Sequence, residues 1–211
     1  MNFPTVYPIL DAGFLPSGER RAAALHAVVH ELGEAGIGIL QYRNKQGREH
    51  EVLSDAQVMR TAARNSQMKL ILNDWPYLAF EAGFDGVHLG QGDMSPAEAR
   101  AIVGTERMVG LSTHNEAQMR VADREPVDYI AVGPVFATAS KQNPDPVIGL
   151  EGVQLARGIT RKPLVAIGGI TLATAPDVKA AGADSIALIS AIFSSGGSPA
   201  KFAEDFLRIF R

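Results

Sequence analysis

Ile37-Gly38-Ile39-Leu40-Gln41-Tyr42-Arg43-Asn44-Lys45 is an apolar run that turns polar and cationic at its end. On a strand, side chains two apart share a face. Read as a buried strand, this stretch sends Ile39, Gln41, Arg43 and Lys45 one way, and Leu40 and Tyr42 the other. An amide and two cations together at a strand's C-terminal end suit a polyanionic ligand. An edge strand with solvated charges has the same composition, so the remainder of the chain must decide between the two.

Working outward, similar short apolar runs recur at Thr5–Leu10, Lys69–Leu72, Gly86–Leu89, Met108–Ser112, Tyr129–Val132, Leu164–Ile167 and Ser185–Leu188. Helical patterns separate them, near 18–35, 50–66, 75–82, 96–103, 115–123, 150–158, 174–181 and 199–210. Continuous apolar strands are expected where both faces of a parallel sheet are covered. Eight such units in 211 residues fit a compact α/β chain closed as a single (β/α)8 barrel. A doubly wound open sheet is the alternative, since sequence does not show closure.

Local punctuation agrees with this count. Ser95-Pro96-Ala97-Glu98 has the pattern of a helix start, with serine as cap, proline in the first turn and glutamate reaching back. Three helices end alike, at Glu34-Ala35-Gly36, Glu81-Ala82-Gly83 and Ala180-Ala181-Gly182, where glycine accepts a left-handed turn. The recurrence is a weak internal repeat. No linker or low-complexity tract interrupts residues 1–211, so a single domain is expected. Pro8 removes a ladder donor from the first strand, which predicts that this strand is short or irregular.

Composition limits the function. A hydrophobic content of 46% supports a full core, and the absence of cysteine excludes disulfides, thiolate metal sites and a thiol nucleophile. A formal charge of −3 argues against a general nucleic-acid partner. No membrane-spanning run or leader pattern is evident, so a soluble, cytoplasmic protein without a membrane partner is expected. The sequence is compatible with a homo-oligomer and does not fix its order.

In such a barrel the working groups follow the strands. The third strand exits into Asn73-Asp74 and the fourth into Gly90-Gln91-Gly92-Asp93. Neighbouring strands lie about 4.8 Å apart, so Asp74 and Asp93 can converge despite their separation in sequence. Two carboxylates with few other ligands suit Mg²⁺, which keeps waters and takes phosphate oxygens; singly, each aspartate also reads as turn or cap chemistry. The fifth strand ends at Ser112-Thr113-His114-Asn115, where Ser112 offers a hydroxyl and Asn115 a helix cap. His114 and His88 each read either as acid–base groups or as packed, hydrogen-bonded residues.

The stretch Gly133–Ile148 is the longest irregular one, and it carries Thr138, Ser140 and Lys141. Hydroxyls and a lysine so close together predict a lid that grips an anion. Gly168-Gly169 after the seventh strand and Ile189-Ser190 after the eighth predict a phosphate site made by backbone amides.

Taken together, Leu-Gln-Tyr-Arg-Asn-Lys, Asn-Asp, Gly-Val-His-Leu-Gly-Gln-x-Asp, Gly-Leu-Ser-Thr-His, Gly-Pro-Val-Phe-x-Thr-x-Ser-Lys, Ile-Gly-Gly-Ile and Ile-Ser-Ala-Ile resemble the thiamine phosphate synthase family, in order and along nearly the whole chain. The resemblance implies a TIM barrel transferase of thiamine biosynthesis. Such an enzyme joins 4-amino-2-methyl-5-hydroxymethylpyrimidine diphosphate to a thiazole phosphate and releases diphosphate. By position, it implies that Gln41, Tyr42, Arg43, Asn44, Lys45, Asn73, Ser112 and Lys141 bind the pyrimidine diphosphate. Thr138, Ala139, Ser140, Gly169, Ile189 and Ser190 are implied to hold the thiazole phosphate, and Asp74 and Asp93 the Mg²⁺. Arg43, Lys45, Ser112 and Lys141 are implied to be catalytic. The chain departs from the family pattern at Asn44, where an acid is common, at Ser140, where threonine is usual, and more loosely over 142–146. A thiazole tautomerase would lean on His114 and leave Asp74, Asp93 and Lys141 without a role. A non-catalytic phosphate sensor on the same barrel would not need the acidic pair.

Overall fold

The computed structural model describes residues 3–138, 145–194 and 197–210. Eight strands alternate with helices: β1 (Val6–Asp11), α1 (Arg20–Glu34), β2 (Ile39–Arg43), α2 (Glu49–Ala62), β3 (Lys69–Asn73), α3 (Pro76–Glu81), β4 (Gly86–Leu89) and α4 (Pro96–Val103). The series continues with β5 (Met108–Thr113), α5 (Glu116–Arg124), β6 (Tyr129–Val132), α6 (Gly149–Ile159), β7 (Leu164–Ile167), α7 (Ala175–Ala180), β8 (Ser185–Leu188), the short α8 (Ser190–Phe193) and α9 (Pro199–Ile209). All neighbouring strands pair in parallel, and Val6↔Ile186, Tyr7↔Ala187 and Pro8↔Leu188 close the sheet on itself. That closure removes the open-sheet alternative.

The expectation for β1 needs correction, because it is a regular strand of six residues. Its registered pairs with β2 begin at Ile9, the residue after Pro8. The missing donor therefore falls at the start of that ladder, where it interrupts nothing.

Alternation along each strand separates two apolar layers. Tyr7, Ile9, Ile39, Ile71, Tyr129, Ala131, Val165 and Ala187 fill the barrel interior. Their neighbours, Val6, Leu10, Leu40 and Tyr42 among them, pack outward under the helices. The predicted capping is present. Ser95 Oγ accepts from Glu98 N, and Glu98 returns a carboxylate oxygen to Ser95 N. At three helix ends Gly36, Gly83 and Gly182 take positive φ, and the residue after each donates back to the last turn, as in Ile37 N to Leu32 O at 3.0 Å.

The end opposite the cavity carries a repeated stitch. Asp85, Asp128 and Asp184 stand just before β4, β6 and β8, and each carboxylate accepts the first or second amide of the strand before, from Leu70, Val109 and Leu164 at 2.7–2.9 Å. Each also meets an arginine from the helix preceding that strand: Arg60, Arg100 and Arg157. One acid thus ties two strands and a helix together. Among the described residues, no helix is long and apolar enough to cross a membrane.

Gly110 on β5 leaves room for the Tyr129 ring, since a Cβ there would lie 2.0 Å from ring carbon Cζ. Overfilling a packed core typically costs about 1–3 kcal/mol. Gly110→Ala is therefore expected to lose at least that much unfolding free energy, read as a lower urea midpoint with no change in m-value.

Candidate active site

The C-terminal ends of the strands surround a cavity of about 540 Å³. Because inward-facing residues alternate along β2, Ile39 lies in the interior core, while Gln41, Arg43 and then Lys45 climb towards this cavity and line it. Asn73, Asp74, Asp93, Ser112, Thr138, Gly169, Ile189 and Ser190 line the same space. Tyr42 and Asn44 do not share it. The Tyr42 ring is buried under α2, where its hydroxyl donates to Asp55 and accepts from Arg21 at 3.0 Å. Asn44 Nδ2 reaches that hydroxyl at 3.3 Å, and Asn44 Oδ1 accepts the Gly47 amide at 2.8 Å. Both side chains thus hold the loop that carries Arg43 and Lys45, on the far side from the cavity. Ala139, Ser140 and Lys141 lie outside the described residues.

The acidic pair forms as expected. Asp74 and Asp93 contact one another through their carboxyls, and Lys45 Nζ pairs with Asp74. Burial first, and then the Asp93 carboxyl, push Asp74 up to about 6, against the opposing pull of Lys45. Asp93 is exposed at the rim; the upward push of partial burial is outweighed by its contact with Asp74, the Gly90 amide at 2.7 Å and the Lys45 charge, which together hold it below the usual carboxylate range. Asp74 is the one non-glycine residue with positive φ among the described residues, at 69°, and its amide donates to His88 O at 2.9 Å. Aspartate tolerates this conformation better than most residues, and the turn aims its carboxylate at Asp93. Arg43 is paired with Asp11 at the end of β1. Asp11 and Gln118 are site neighbours that the sequence reading passed over, and Gln91 one to which it gave no role.

The far wall is built from glycine. Gly168 and Gly169 both take positive φ, and a Cβ on Gly169 would lie 2.5 Å from Ala137 O. Val135 N and Phe136 N donate to Ile167 O and Gly168 O, each at 2.9 Å, which ties the exit of β6 to this turn. Ile189 and Ser190 follow β8 at the start of α8.

Both histidines near the mouth have partners. His88 is buried, with Nδ1 3.0 Å from Tyr129 Oη and Nε2 2.8 Å from Ser112 Oγ. Burial pulls it down to about 4. His114 Nδ1 donates to Gly133 O at 2.6 Å, and its Nε2 lies 3.5 Å from Asp145. Asn115 caps α5 by accepting Gln118 N at 3.0 Å.

A parallel eight-stranded barrel with cations, a carboxylate pair and a glycine turn around one cavity defines an enzyme class that grips phosphorylated ligands at the strand ends. The chain belongs to the thiamine monophosphate synthase family, whose model matches residues 6–192, and with it to the transferases of thiamine biosynthesis. It is 48% identical over 210 residues to the thiamine-phosphate synthase of Koribacter versatilis, a match spanning 99% of this chain and 97% of that protein. The thiamine-phosphate synthase of Chloroflexus aurantiacus is 38% identical over 90% of this chain and 85% of its own length. Among solved structures, the thiamine phosphate pyrophosphorylase from Pyrococcus furiosus matches with a TM-score of 0.85 and 28% identity, covering 99% of this chain and 96% of that one. A 3-hexulose-6-phosphate synthase shares the fold alone, at a TM-score of 0.72 and 18% identity over 98% of this chain and 100% of that one.

The depressed His88 value has a testable consequence. Well above pH 6.5 the imidazole is neutral whether folded or unfolded, and contributes no pH dependence. Between about 6.5 and 4 the unfolded chain takes up a proton that the folded chain refuses, so stability falls with falling pH by about 3 kcal/mol in total. Urea melts across this window are expected to show a smaller acid loss in His88→Gln than in the parent.

Proposed function

We propose that this barrel, as a single catalytic domain, condenses 4-amino-2-methyl-5-hydroxymethylpyrimidine diphosphate with a thiazole phosphate, giving thiamine phosphate and diphosphate. One observation carries the reading. The Asp74–Asp93 pair, with Lys45 beside it and Arg43 close by, shares a single cavity with the Gly169 and Ser190 backbone. One side is thus suited to a metal-bound diphosphate and the other to a monophosphate.

The donor set fits Mg²⁺. Two touching carboxylates, one of them raised by burial and by its neighbour, are a pair that a divalent cation would relieve. Among the described residues no cluster of three or more histidine or acidic side chains competes as a metal site. Asp74 and Asp93 would hold the ion, leaving its other positions to water and phosphate oxygens. When bound, Mg²⁺ supplies positive charge against the departing diphosphate.

The chain's own residues do the rest. Arg43, Lys45 and Lys141 hold and neutralise the diphosphate as its bond to the pyrimidine methylene breaks. Interactions that strengthen as charge develops on the leaving group are those that accelerate the step. Gln41, Asn73 and Ser112 orient the pyrimidine ring so that the methylene faces the thiazole nitrogen, which captures the pyrimidine cation. The thiazole is assigned to Thr138, Ala139 and Ser140, and its phosphate to the amides of Gly169, Ile189 and Ser190. No protein nucleophile is required. The carboxylate pair favours this reading over a tautomerase and over a phosphate sensor, neither of which needs it. A biosynthetic role of this kind suits the cytoplasm, and a homo-oligomer is compatible with it.

A turnover assay with both substrates tests the reading, and thiamine phosphate with stoichiometric diphosphate is the expected product. Excess EDTA is expected to abolish turnover; full activity under chelation removes Asp74 and Asp93 from the metal role. Asp74→Asn keeps the backbone tolerance and removes one charge of the pair. It is expected to lose about 100-fold in kcat while melting no lower than the parent. Lys141→Ala is expected to fold normally and lose most of its turnover.

A further inference from the structure

Gln41 and Ser112, on β2 and β5, are joined beneath the cavity by an unbroken series of buried polar groups. Gln41 Nε2 donates to Tyr7 Oη at 3.1 Å, and Tyr7 Oη meets Tyr129 Oη at 2.8 Å. Tyr129 Oη meets His88 Nδ1 at 3.0 Å, and His88 Nε2 meets Ser112 Oγ at 2.8 Å. The rings of Phe3 and Tyr129 lie 5.0 Å apart, so an aromatic cluster covers the connection from below. Burial pushes both phenols above their ordinary range and pulls the imidazole below its own, so all three groups are neutral.

Neutrality and position leave few arrangements for the protons. A neutral imidazole has one donor and one acceptor nitrogen, and each phenol has one proton to give. With the Gln41 amide donating to Tyr7, the Tyr7 proton is directed at Tyr129. The Tyr129 proton then goes to His88 Nδ1, and the His88 proton sits on Nε2 and goes to Ser112. The Ser112 hydroxyl proton is thereby left for the cavity. Turning the amide over, so that its oxygen faces Tyr7, reverses every link and leaves Ser112 able only to accept. The two ends therefore cannot be set independently.

We propose that Tyr7, Tyr129 and His88 are positioning residues that fix this polarity, so that Gln41 offers the cavity an acceptor and Ser112 a donor. A 4-aminopyrimidine presents the complement, an amine that donates beside a ring nitrogen that accepts. The 4-oxo analogue presents an acceptor beside an N–H and mismatches both ends. Buried polar groups left unpaired make such a mismatch costly. The inference rests on the pyrimidine reading of Gln41 and Ser112 given above, and adds the reason an amine is preferred over an oxo group.

Two measurements test it on the intact chain. The first is ¹⁵N NMR of imidazole-labelled protein, with the His88 signal assigned by its loss in His88→Gln. The expected species is the Nε2–H tautomer, and an Nδ1–H tautomer overturns the proposal. The second compares kcat/KM for the amino- and oxo-pyrimidine diphosphates in the parent, Tyr129→Phe and Tyr7→Phe. Each variant is checked for an unchanged fold by circular dichroism and for an unchanged KM for the thiazole phosphate. Preference for the amine is expected to fall by about tenfold or more in folded variants. An equal loss on both substrates, with the preference intact, overturns the proposal and leaves the functional reading standing. A parent that turns over neither pyrimidine overturns the functional reading and this inference together. If both variants fail to fold, the tautomer in the parent decides alone.

Discussion

Closure of the parallel sheet is the constraint from which the site follows. Once β1 pairs with β8, every strand has two faces committed, one to the interior and one to the helices. All eight strands run the same way, so their last inward residues meet at one rim. Gln41 is inward because Ile39 is inward, and Arg43 and Lys45 continue the same alternation beyond the core. Asp74 and Asp93 meet because β3 and β4 are neighbours in register, with Asn73 opposite His88. Chemistry at this rim is thus a consequence of topology, and the side chains supply the charge.

At the described rim each cation is matched to an acid, with one acid in excess. Arg43 rests against Asp11, and Lys45 against an acid that has its own acidic neighbour. Neither cation is left unpaired, and the acids carry more negative charge than Lys45 alone offsets. Such an arrangement favours a cation and a polyanion arriving together over either one alone. The interior below is of a different kind: neutral and mostly aliphatic, with the two phenols hydrogen-bonded in series to Gln41 and His88. Strong charge at the mouth above a neutral floor separates the task of holding a diphosphate from that of reading an uncharged ring.

Much of this was legible in the sequence. Period-two alternation at 37–45 set the inward residues correctly, and the helix ends at Gly36, Gly83 and Gly182 follow from the need for positive φ. The strand count placed Asp74 beside Asp93 without any contact being visible. What escaped were relations that depend on the other side of a strand or of the barrel. The alternation read Tyr42 as outward while the resemblance implied a ligand group, and its partners Asp55 and Arg21, on other helices, were not visible in the local pattern. Tyr7 and Tyr129 gave a signal, as phenols on the inward face of apolar strands, but their meeting spans 122 positions and no local pattern encodes it. The effect of Pro8 was overestimated because register, which sequence does not reveal, decides which donor is lost.

The three aspartate stitches at the opposite end give the molecule a mechanical division of labour. Each binds its strands and helix through backbone amides and one arginine, and none of the three acids borders the cavity. Catalytic loops can therefore be lengthened, shortened or replaced while the base of the barrel keeps its own fastening. For an engineer this makes the scaffold a chassis, whose upper deck is open to new substrates without a redesign of its frame.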